Sequence, residues 1–145
     1  MAEPVTRYFE DVDEGDDIPP FVVEHLTRTD LVRYAGASGD FNPIHHDQTF
    51  AEAAGNPTVF AHGMLSAGFL GKCVTDYVGV QRLRRFKVRF ATRVWPSDIV
   101  TCKGKVTKKY VADGAHLIDG EVQALNQKGE VAVYGTFTAA LPLRS

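Results

Sequence analysis

The sequence predicts an α+β domain in which one curved antiparallel sheet wraps around a single long buried helix. Two patterns carry this expectation. From Gly63 to about Tyr77 the chain is apolar on nearly every side at helical spacing. From Leu83 onward the apolar period changes to two, over four stretches separated by turn residues. At 145 residues, 44% hydrophobic and 23% charged, the whole chain reads as one globular domain, 1–145.

Glu10, Asp11, Asp13, Glu14, Asp16 and Asp17 crowd a leading loop, without the spacing of a calcium-binding loop. Pro19-Pro20 are expected to end it, and Phe21, Val22 and Val23 to open a strand running to about Leu26. Thr27 or Thr29 then offers a hydroxyl cap, and Asp30 supplies first-turn negative charge for a helix through Leu31, Tyr34 and Ala35. Ser38-Gly39 stops that helix, and Asn42-Pro43 forces a reversal. Asp47 caps a short second helix through Phe50 and Ala54, with Gly55 at its end.

The third helix carries Met64, Ala67, Gly68, Gly71, Val74 and Val78 along one stripe, with Leu65, Phe69, Leu70, Cys73 and Tyr77 over most of the remainder. This pattern predicts burial on nearly all sides, the small residues letting other backbone come close. Strands are expected at Leu83–Val94, Ile99–Tyr110, His116–Asn126 and Glu130–Leu141. Trp95-Pro96-Ser97-Asp98, Asp113-Gly114 and Gln127-Lys128-Gly129 separate them as turns of a four-strand meander.

Composition excludes several functions. A net charge of −2 argues against a general nucleic-acid surface, and two cysteines are too few for a secreted disulfide scaffold. The acidic start and the short, glycine-rich apolar window Met64–Leu70 predict no export signal and no membrane span, hence a cytoplasmic protein.

The reactive groups concentrate in Ser38-Gly39-Asp40-Phe41-Asn42-Pro43-Ile44-His45-His46-Asp47 and in Ala61-His62-Gly63-Met64. Asp40 and His45 flank the reversal, so a carboxylate and an imidazole are expected to face one small space as a general acid/base pair. Gly63 opens the buried helix, so its N–H lacks an intrahelical acceptor and carries the positive end of the helix dipole. Without a β-carbon it suits a carbonyl oxygen that gains negative charge. These parts fit addition of water to a double bond conjugated to a carbonyl, or its reverse, with no metal and no organic cofactor. Asn42 reads as a turn-former whose amide can orient Asp40, and His62 as a residue beside the carbonyl site. Adjacent His45 and His46 point opposite ways on extended chain, which argues against a metal shared with Asp47 or His62.

The segment Tyr34-Ala35-Gly36-Ala37-Ser38-Gly39-Asp40-Phe41-Asn42-Pro43-Ile44-His45, followed by Ala61-His62-Gly63-Met64-Leu65, resembles the hydratase motif of the MaoC-like family of hot dog fold (R)-specific enoyl-thioester hydratases and 3-hydroxyacyl-thioester dehydratases. Val12-Asp13-Glu14-Gly15-Asp16 and Val88-Arg89-Phe90 extend the likeness nearly end to end. The resemblance implies that Asp40 and His45 are the catalytic dyad and that the Gly63 amide binds the thioester carbonyl. Substrates would be thioesters of coenzyme A or acyl carrier protein. It also implies a heterodimer with a related hot dog subunit, as in actinobacterial elongation dehydratases, while the poorly protected edge and outer surface of one sheet around one helix favour a homodimer. Two departures stand out. Arg93-Val94-Trp95-Pro96-Ser97-Asp98 replaces a Pro-Val-x-Pro-Gly-Asp turn, and Gly71 stands where some members carry a serine.

Arg82, Arg84, Arg85, Lys87, Arg89 and Arg93 form a basic run in which Phe86, Val88 and Phe90 alternate with Arg85, Lys87 and Arg89. The alternation describes a solvated strand face or a patch for the phosphates of a thioester carrier, with Arg85, Lys87 and Arg89 as the contacts. Cys73 and Cys102 read as packing residues. The rival functions are a hot dog thioesterase, with Asp40 activating water against the carbonyl carbon, and a non-catalytic acyl-thioester-binding subunit.

Overall fold

The computed structural model describes residues 6–145; the first five residues of the acidic leader, and of the expected domain, lie outside the described residues. Five strands form one antiparallel sheet: β1 (Asp17–Val23), β2 (Leu83–Phe90), β3 (Val100–Ala112), β4 (Ala115–Leu125) and β5 (Val131–Ala140). Three helices accompany them: α1 (Arg28–Ser38), α2 (Gln48–Ala53) and α3 (Gly63–Val78). The sheet order is β1-β3-β4-β5-β2, and α3 packs across it. This is the hot dog arrangement.

Local chemistry explains most element ends. Of the two candidate caps for α1, Thr27 takes the role. Its Oγ1 accepts from the Asp30 N–H at 3.1 Å, while Asp30 Oδ2 accepts from the Thr27 N–H at 2.9 Å. Thr27→Ala removes the Oγ1 half of this pair and leaves the backbone N–H to Asp30, at an expected cost of about 1 kcal/mol. The check is a lower urea midpoint at unchanged slope. Asp113 and Gly114 both have positive φ, 49° and 74°, as the two-residue turn from β3 to β4 requires.

The strands depart from expectation in two places. β1 starts at Asp17, runs through Pro19-Pro20 and ends at Val23, not Leu26. An edge strand tolerates prolines because their missing N–H groups remove no outward ladder bond, and the register shifts between Ile18 and Phe21. The second correction concerns the meander, which holds only for β3, β4 and β5. β2 ends at Phe90 rather than Val94 and pairs with β5 at the far edge. There the N–H groups of Ala91 and Thr92 both turn to Ala132 O, at 2.8 and 3.2 Å, so the chain leaves the sheet. The free side of β3 is taken by β1, and the 91–99 crossover is not a hairpin.

α3 is buried through Ser66, Ala67, Leu70, Cys73, Val74, Tyr77 and Val78. Contrary to the all-round burial expected, Met64, Gly68, Lys72 and Asp76 lie exposed along its other side, the last two joined by a 2.8 Å ion pair. Two of its glycines face rings rather than backbone, a β-carbon on Gly63 lying 3.2 Å from Phe90 and one on Gly71 3.5 Å from Phe86, while one on Gly68 would meet nothing. Phe137, Ile18, Val74, Val100 and Ile118 are among the side chains that fill the core between helix and sheet. Cys73 and Cys102 are buried and unpaired, and burial pushes the Cys102 thiol up to about 12, so it stays protonated. Among the described residues no helix is long and apolar enough to cross a membrane.

Candidate active site

The site begins where α1 stops. Gly39 takes the left-handed conformation, φ 76°, and turns the chain into a series of short polar contacts. The Asp40 N–H donates to Ser38 Oγ at 3.2 Å, the Asn42 N–H to Asp40 Oδ1 at 3.2 Å, and the Ile44 N–H to Asn42 Oδ1 at 3.1 Å. Pro43–His45 then forms one 3₁₀ turn. Asn42 is therefore the turn-former; its backbone N–H, not its side-chain amide, holds the Asp40 carboxylate.

His45 is 8% exposed, and its Nδ1–H donates to Phe60 O at 2.6 Å. Because a carbonyl only accepts, this bond places the ring proton on Nδ1 and leaves Nε2 with a free lone pair. Burial lowers the His45 pKa from 6.5, and repulsion from His62 adds to the lowering; the bond to Phe60 and the Asp40 charge oppose it. The neutral, proton-accepting ring is thus favoured at neutral pH.

His62 is 2% exposed and stacks on His45, with ring centroids 3.8 Å apart and planes 26° apart. Its Nε2–H donates to Asp40 O at 3.1 Å, and Tyr34 meets it edge-on at 4.8 Å. Its Nδ1 is buried without a partner among the described residues. Asp40, His45 and His62 thus have side-chain donor atoms within 4.8 Å of one another, the one such metal-capable group among the described residues. His46 and Asp47 are exposed and outside it. His45 Nδ1 and His62 Nε2 are taken up by the Phe60 and Asp40 carbonyls, which leaves one nitrogen of each ring.

Gly63 directly follows His62 and is the first residue of α3. Its N–H donates to no protein acceptor among the described residues, and the residue is exposed. A cleft of about 550 Å³ opens beside it, walled by Phe60, Ser66, Phe90, Trp95 and Val133. The Arg85, Lys87 and Arg89 expectation does not extend to this cleft. They alternate with Phe86 and Phe90, whose rings lie against Gly71 and Gly63 of α3, and so project from the opposite face of the sheet. There Lys87 and Arg89 border a broader concavity of about 970 Å³ with Lys105, Glu121 and Tyr134.

Two cleft residues escaped the sequence reading. Ser66 lies one turn after Gly63 in an apolar helix, a spacing that marks it as sharing the Gly63 face. Arg93 closes the basic run in sequence, but β2 ends before it and its side chain enters a different environment.

A buried imidazole, a carboxylate close to it and a helix-terminal N–H without a protein acceptor thus sit together on a hot dog sheet and helix, and comparison with known proteins places this domain in the hydratase/dehydratase class. Residues 16–128 match the MaoC like domain, and the chain belongs to that family. It is similar to the (R)-specific enoyl-CoA hydratase of Rhodospirillum rubrum, 38% identical over 97% of this chain and 95% of that protein. It is 36% identical, over 59% of its own length, to the peroxisomal hydratase-dehydrogenase-epimerase of Saccharomyces cerevisiae, of which it spans only 9%. The R-hydratase PhaJ1 from Pseudomonas aeruginosa superposes with a TM-score of 0.84 at 22% identity, over 94% of this chain and 86% of that one.

Proposed function

We propose that the chain catalyses the reversible hydration of trans-2-enoyl thioesters to (R)-3-hydroxyacyl thioesters in fatty-acid metabolism, with Asp40 and His45 as the catalytic pair. The observation that carries this reading is the committed Nδ1 of buried His45, which leaves Nε2 free as a base on a ring that has a nitrogen within 4.8 Å of the Asp40 carboxylate. The pair holds a water and accepts one of its protons as oxygen bonds to the β-carbon. The double-bond electrons move onto the thioester oxygen, where the Gly63 N–H meets the new charge. The pair then returns a proton to the α-carbon, so one water is added and the site is restored. No step calls for a metal or an organic cofactor; coenzyme A or acyl carrier protein acts only as the carrier. His62 holds the Asp40 backbone and the His45 ring in place.

The proposal extends to assembly. β1 and β2 are open edges, and Phe41, Met64 and Phe90 are exposed near the site at 64%, 58% and 56%. A second copy, or a related hot dog subunit, is the partner these surfaces suit, and light scattering after gel filtration reads it. A cytoplasmic location is part of the same reading, supported by two buried unpaired thiols.

The direct test incubates the protein with crotonyl-CoA while following enoyl absorbance and free thiol together. Loss of absorbance without thiol release is expected. Thiol release in step with the loss of absorbance would instead mark a thioesterase, and neither signal a binding subunit. The pH profile is a second expected outcome. Since neutral His45 is the active form and its pKa lies below 6.5, kcat/KM should hold as pH falls through 6.5 and decline only at lower pH.

A further inference from the structure

We propose that Arg93 binds an anionic oxygen group of the thioester substrate and makes the enzyme selective for thioesters that carry one; this rests on the hydratase reading above. Arg93 is held where it is by the backbone. After β2 ends, the Ala61 N–H donates to Val94 O at 2.8 Å, tying the departing segment to the one that leads into α3. Arg93 thereby sits beside Phe60, its guanidinium 5.0 Å from that ring's centroid. The same Phe60 gives its carbonyl to His45 and packs its ring edge-on against His45 and Trp95, at 5.2 and 5.8 Å. One residue therefore joins the guanidinium to the proposed base.

The electrostatics point to a ligand. Arg93 is exposed and has no acidic partner among the described residues, unlike Arg33 or Arg144. Among the described residues it is the one charged residue lining the cleft; the walls otherwise come from Phe60, Phe90, Val94, Trp95 and similar neutral groups. An unpaired cation against low-dielectric aromatic walls attracts a substrate anion more strongly than one on an open surface does. The planar fork suits phosphate and carboxylate alike. The anion is therefore a phosphate of the carrier arm or a carboxylate at the far end of the acyl chain.

Arg93→Met keeps an apolar stem over Phe60 and removes the charge; Arg93→Lys keeps the charge. Three substrates separate the sources: crotonyl-CoA, the uncharged crotonyl thioester of N-acetylcysteamine, and an enoyl thioester of N-acetylcysteamine ending in a carboxylate. With a phosphate source, Arg93→Met raises KM for crotonyl-CoA about tenfold at nearly unchanged kcat and flattens the salt dependence of KM. Both N-acetylcysteamine thioesters are then unaffected. With a carboxylate source, the rise is confined to the carboxylated substrate. Arg93→Lys retains part of the effect in either case. Equal KM values for wild type and Arg93→Met on all three substrates would overturn the assignment. Binding of butyryl-CoA and of a saturated carboxylated thioester, which have no double bond to hydrate, reads Arg93 separately. A wild type that hydrates none of the substrates removes the functional reading, whereas undiminished binding of both saturated ligands to Arg93→Met removes this one.

Discussion

Asp40→Asn and His45→Gln should each lower the turnover of a trans-2-enoyl thioester by about 10²–10⁴-fold, the range that one positioned acid or base supplies. The two substitutions leave the scaffold in place for different reasons. Asp40 is exposed, and an asparagine oxygen still accepts from the Asn42 N–H, while the Asp40 carbonyl that holds His62 is backbone. Glutamine at 45 retains an N–H able to reach toward Phe60 O but has no titrating group. The double variant should fall little further than the worse single one, because the two groups serve one proton-transfer unit. Near-normal turnover in either single variant, with circular dichroism matching wild type, would take that residue out of the chemistry.

The second large effect separates the Gly63 N–H from its surroundings. His62 has φ −55° and ψ 134°, backbone that accepts a following proline, and proline is at home at the first position of a helix. Gly63→Pro therefore removes the donor without breaking α3. Gly63→Ala is the control: it keeps the N–H yet, like proline, carries a β-carbon 3.2 Å from the Phe90 ring. Turnover of Gly63→Pro should lie about 10²–10³-fold below that of Gly63→Ala, as for loss of one oxyanion donor. Equal losses in the two variants would mean that crowding against Phe90, not the N–H, accounts for the defect.

Much of the candidate site's local geometry is legible in the sequence, because it is built from neighbours in the chain. The Thr27–Asp30 cap, the Gly39 stop and the run of turns from Asp40 to Ile44 are satisfied within a few residues, so residue type alone dictates them. The carboxylate and imidazole straddling Asn42-Pro43 follow from that local path, as does the open N–H at the head of α3. Periodicity likewise showed which residues share a strand face. It carried no information on which face meets which element. Folding placed β2 beside β5 rather than β3, turned Phe86 and Phe90 toward α3 and so sent Arg85, Lys87 and Arg89 to the far side. It also laid His62 on His45 and delivered Arg93 to Phe60 across a long stretch of chain. Short-range hydrogen bonds are written in adjacent side chains; pairings between distant segments arise from competition among all the surfaces the molecule can bury.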